Sequence, residues 1–66
     1  MEEEIKLAEK IYECRKNIMN IKEQEKDFIE KLKIALNGET KIPDICEFRT
    51  YEGTTVLLFN KDYKGP

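Results

Sequence analysis

The chain contains no histidine. That removes the side chain whose ordinary pKa suits it to general base work at neutral pH. It also bears on metals, because the 2 cysteines cannot fill a closed zinc site, which takes four ligands. Glycine is scarce. Gly38, Gly53 and Gly65 stand alone in turn or tail positions, so no glycine-rich phosphate loop exists. No apolar run approaches the ~20 residues of a membrane span. Glu2-Glu3-Glu4 has the wrong charge for the start of a signal peptide, and no apolar segment follows it. Neither sign of charge dominates: 12 basic and 14 acidic side chains leave a net charge of −2. That balance gives no strong pull toward nucleic acid or an anionic membrane. These absences predict no catalytic residue, no cofactor and no metal. They favour a soluble protein of the cytoplasm.

A chain of 66 residues makes one small domain whose own core is thin. Such chains usually need a staple. A disulfide is a poor candidate. Cys14 lies roughly 35 Å from a helix end near Asn37 at 1.5 Å per residue, far from where a returning strand would place Cys46. Both thiols are read as reduced and packed like small hydrophobes. Association with another chain is the staple left.

What the chain does have is a stripe. Leu7, Ile11, Cys14, Ile18 and Ile21, then Phe28, Leu32 and Ala35, recur in steps of three, four and seven. They fill the a and d places of a heptad, with Glu25 as the polar exception. Neither Gly nor Pro occurs between Glu3 and Leu36, and good helix formers are abundant there. Asn37-Gly38 is a helix stop, since both residues tolerate the left-handed conformation. One helix over about residues 3–37, roughly 50 Å long, is expected. Lys22 to Asp27 is the weak point, six polar residues in a row. It reads as a solvated helical stretch. The competing reading is a bend there, helped by Asn20, that would make a helical hairpin; no Gly or Pro marks such a turn.

After Gly38 the pattern changes. Residues 38–44 read as a connector, because Pro43 biases Ile42 away from helix. Residues 45–59 read as a β-hairpin, Ile45 to Tyr51 and Thr54 to Phe59, joined by Glu52-Gly53. That turn places Tyr51 opposite Thr54, Phe48 opposite Leu57 and Cys46 opposite Phe59. The same register collects an apolar face, so turn and alternation agree. Residues 60–66 read as a loose polar tail. The expected class is α+β: one long amphipathic N-terminal helix, with the hairpin packed on its C-terminal half. Phe28, Ile29, Leu32, Leu36, Cys46, Phe48, Leu57 and Phe59 form the expected core.

This arrangement leaves the N-terminal half uncovered. Ile5, Leu7, Ile11, Tyr12, Cys14, Ile18, Met19 and Ile21 would make a broader apolar face than monomers normally expose. They are read as a surface for self-association or for a partner protein. Flanking Lys10, Arg15 and Lys22 disfavour a parallel zipper, so an antiparallel dimer or a four-helix arrangement is expected. A basic patch or aromatic platform for nucleic acid is missing; Phe48 and Tyr51 fall on opposite hairpin faces.

A short chain with a long charged helix, a glycine stop and a terminal hairpin resembles small proteins encoded by phages and mobile elements. These include inhibitors of host defence enzymes. The resemblance spans the whole chain in layout and carries no motif, so it assigns no residue a role. It implies a non-enzymatic protein that binds and inhibits or regulates a larger partner, in the host cytoplasm, while self-association through the helix is read from the stripe. Two alternatives stay open: an accessory factor of nucleic acid or of a recombination or replication complex, and a purely structural assembly subunit.

Overall fold

The computed structural model describes residues 2–17 and 22–65. Two helices come first, α1 (Glu2–Lys16) and α2 (Lys22–Leu36). Three strands follow: β1 (Lys41–Ile42), β2 (Cys46–Tyr51) and β3 (Thr54–Phe59). The strands form one antiparallel sheet in the order β1-β2-β3. Arg15 meets Glu25, and Lys10 lies over the Phe28 ring, so the helices run in opposite directions side by side. The Cα radius of gyration is 11.2 Å. A folded chain of this length is expected near about 11 Å.

The single long helix is therefore corrected to a helical hairpin. The longest dimension of the fold is 30 Å, too short for the helix expected from the stripe. Asn17 N–H still bonds to Glu13 C=O at 2.9 Å. The polar run Lys22 to Asp27 lies inside α2. Burial decides the outcome. Ala8 and Ile11 have no exposed surface and join Leu32 and Leu36 in one cluster, with Ile5 and Leu7 packed against it. Full burial of a side chain like Ile11 stabilises by about 1.5–3 kcal/mol. The intrinsic helical preference of an ordinary residue spans only about 0.7 kcal/mol. Covering the α1 stripe outweighs a few residues of continuous helix.

Local chemistry fits each helix. The first turn of α1 is acidic (Glu2, Glu3, Glu4) and its last turn basic (Arg15, Lys16), as the macrodipole favours. Glu2–Lys6 and Glu30–Lys33 pair along the exposed faces at 4.0 and 3.9 Å. Lys31 lies over the Phe28 ring at 5.8 Å. Asn37 (φ 49°) and Gly38 (φ 95°) end α2 in the left-handed region, and Glu39 N–H donates to Leu36 C=O at 3.0 Å.

The hairpin forms in the register derived from its turn. Tyr51 pairs with Thr54, Phe48 with Leu57 and Cys46 with Phe59. Glu52 (φ 50°) and Gly53 (φ 81°) both take positive φ, the signature of a type I′ turn. The sheet's inner side, Ile42, Cys46, Phe48, Leu57 and Phe59, packs with the helices.

Two further elements differ from expectation. The connector contains a third strand: Lys41 and Ile42 pair with Glu47 and Cys46 across a turn at Pro43-Asp44, where Asp44 has φ 68°. Ile42, 3% exposed, is thereby part of the core. The tail is not loose through Gly65. Tyr63 stacks on Phe59 with ring centres 5.7 Å apart, and Tyr12 meets both rings edge-on. The Tyr12 hydroxyl donates to Tyr63 C=O at 3.3 Å.

Candidate functional site

The residues expected to meet another chain are mostly taken up by the fold. Ile11 is fully buried, Ile5 and Leu7 pack on the core, and Tyr12 belongs to the aromatic cluster. Cys14 is a half-buried free thiol. Ile18, Met19 and Ile21 lie outside the described residues. The α1 stripe thus has an intramolecular cover from α2 and the sheet. Of the hairpin-facing set, Leu32, Leu36, Cys46 and Leu57 are buried. Phe28, Ile29, Phe48 and Phe59 pack against them.

With both helical stripes turned inward, the sheet becomes the surface to consider. Strand β3 pairs only with β2, so its other edge faces away from the sheet. Parity identifies the groups on that edge. Phe48 N–H bonds to Thr40 C=O on the β1 side, and Asn60 N–H bonds to Ile45 C=O. Leu57, opposite Phe48, therefore directs its own backbone groups outward, and so do Thr55 and Phe59.

An open strand edge invites pairing with another chain, and folded proteins usually protect it. Here Arg15 protects the middle. Its Nη1 donates to Leu57 C=O at 2.6 Å, its Nε is ion-paired to Glu25, and its guanidinium lies 5.5 Å from the Phe59 ring centre. Phe59 is further covered by Tyr12 and Tyr63. Among the described residues Thr55 has no such cover: it is exposed, and its side chain makes a hydroxyl contact with Thr50 at 3.4 Å.

Beside Thr55 lies a groove of about 380 Å³ between α2 and the end of the hairpin. Thr55, Val56, Leu57 and Ile29 are among the residues that line it. Its charged lining is Arg15, Lys22, Lys26 and Lys33 against Glu25 and Glu30. Arg15 pairs with Glu25 and Lys33 with Glu30, which leaves Lys22 and Lys26 without an ion-pair partner among the described residues. The groove is locally positive on a chain whose net charge is −2. A second depression, about 510 Å³, lies over Pro43, Glu47, Arg49 and Leu58. Its β2 edge is already paired with β1, and Arg49 is bonded to Glu47 at 3.0 Å.

Burial pushes Cys46 up to about 11, with the nearby Arg15 charge and a backbone hydrogen bond at Ile42 opposing only part of the rise. Burial also raises the Tyr63 phenol, helped by the Glu9 carboxylate. Among the described residues no group of three or more His, Cys, Asp or Glu could hold a metal ion, and no helix is long and apolar enough to cross a membrane. No protein-family model, curated protein or solved structure matches the chain.

Sequence reasoning missed Arg15, Lys22, Lys26 and Thr55 as site residues. The signal for Thr55 was present, because the turn register fixes which backbone groups of β3 point away from β2. The other three line a groove shared with β3 only because the helix folds back.

Proposed function

We propose that the protein is a non-enzymatic binding module that docks a short extended segment of a larger protein in the groove between α2 and β3, and regulates that protein by occupying the segment. The observation that carries this reading is the unprotected Thr55 edge opening into the groove while Arg15 closes the same edge at Leu57. An extended segment laid there would exchange backbone hydrogen bonds with Thr55, the mode of recognition called strand addition. Binding in place of catalysis is supported by the lack of histidine and by the buried, neutral Cys46 thiol. Regulation of a partner keeps the sense of the resemblance to phage inhibitors, with the contact moved from the helix to the groove.

The test is selection of short random peptides on the immobilised protein, followed by rebinding to Thr55→Pro. Proline there removes the outward N–H and leaves the β2 ladder intact, as it does on edge strands generally. Selected peptides should lose most of their affinity for the variant. Peptides that bind the variant as well as the parent would refute docking at this edge.

A further inference from the structure

Resting on the docking reading above, we infer that the segment taken by the groove is acidic, with carboxylates alternating with small apolar side chains. The groove's charge carries this. Four cationic side chains line it against two carboxylates, and both carboxylates are already engaged. Lys22 and Lys26 are exposed, one turn apart on α2, so their ammonium groups reach the same stretch of groove. A carboxylate from a docked segment pairs with Lys22 and Lys26, which have no ion-pair partner among the described residues.

The alternation follows from strand geometry. In a segment paired with Thr55, successive side chains point to opposite sides of the sheet. Those on the helix side point toward Lys22 and Lys26. Those on the open side stand beside Val56, with Leu58, 38% exposed, farther along the same face. Acidic residues suit the first set and small apolar residues the second. A second copy of this chain fits less well, because pairing β3 with its own twin brings the same cations toward one another.

The probes are two short, terminally blocked, dye-labelled peptides, one alternating Glu with Val and the other Lys with Val, followed by fluorescence anisotropy. The Glu peptide should bind about tenfold more tightly, the yield of two exposed ion pairs. The preference should shrink between about 0.01 M and about 0.15 M salt, as the screening length falls from about 30 Å to about 8 Å. Lys22→Glu with Lys26→Glu should reverse the preference, and Lys22→Arg with Lys26→Arg should keep it. Equal affinities for the two peptides, both abolished by Thr55→Pro, would overturn the acidic assignment and leave docking standing. Failure of the Glu peptide to bind would also overturn the assignment, with the random selection deciding docking separately. Association of the parent chain in sedimentation, abolished by Val56→Lys, would replace the acidic segment with a second copy.

Discussion

Replacing Ile11 with alanine separates a core residue from an interface residue. Ile11 has no exposed surface and lies in one cluster with Ala8, Leu32 and Leu36. That cluster draws on both helices and the sheet, so it cannot close over a cavity by moving a single side chain. Truncation of a large aliphatic residue in such a place costs about 2–5 kcal/mol. A chain of 66 residues has a total stability of about 3–10 kcal/mol at the usual density per residue. The variant should therefore lose a large share of its stability. Its melting temperature should drop by about 4–8 °C for every kcal/mol. Ile11→Val, which removes one methyl group, should cost about 0.5–1.5 kcal/mol. The assay is urea unfolding followed by circular dichroism, repeated over a wide range of protein concentration. The slope with denaturant should be unchanged, since the same surface is exposed on unfolding. A core residue gives midpoints independent of protein concentration, whereas a residue between chains gives midpoints that rise with it. A loss below about 1 kcal/mol for the alanine variant, or a concentration-dependent midpoint, would refute the intramolecular core.

The remaining predictions concern titration, a turn and the tail. Burial holds the Cys46 thiol neutral up to about 11 against an ordinary 9.0, so its contribution to stability should be level below pH 9.0 and fall between 9.0 and 11. The fall is at most about 1.4 kcal/mol per pH unit; Cys46→Ala should flatten it in paired unfolding curves, and identical slopes would count against the burial argument. Glu52 holds φ 50° in the type I′ turn, where Asn is better tolerated. Glu52→Asn should raise stability by about 0.5–1 kcal/mol in urea, within the cost of placing an ordinary residue in the left-handed region. Tyr63→Ala removes the rings' contacts with Tyr12 and Phe59 and should cost about 1–3 kcal/mol, with faster amide exchange at Asn60, whose N–H bonds to Ile45 C=O; a neutral result would return the tail to the loose state read from its composition.

The hairpin was legible in the sequence because two independent constraints agree there. The Glu52-Gly53 turn sets the pairing, and alternation sets which face is apolar, so a slip by one residue would violate both. The stop at Asn37-Gly38 was legible because it is local chemistry. Strand β1 was not, since two residues carry no periodicity and Ile42 precedes a proline in either reading. The helical break was hidden for a different reason. Asn17 to Ile21 contains no Gly or Pro, and the heptad phase continues across it. A continuous phase describes one long helix facing a partner equally well as two helices facing each other. Only the demand for burial within a small chain chooses between them, and that demand is tertiary.

The same choice determines where a functional surface can be. Had the helix stayed straight, Arg15 would have flanked a coiled-coil seam, and its charge would have selected the orientation of a second chain. Once α2 folds back, Arg15 is carried to the β3 edge, where it closes Leu57 and pairs with Glu25. Lys22 and Lys26 are carried beside the part of the edge that Arg15 does not reach. A side chain protecting one carbonyl while its neighbours leave the adjacent residue open divides the strand into a closed and an open half. General edge protection would favour closing both halves, or placing a charge on β3 itself, and Thr54 to Phe59 contains no charged residue. The open half is the part of the edge on which the proposed docking rests, and Lys22 and Lys26 line the groove beside it.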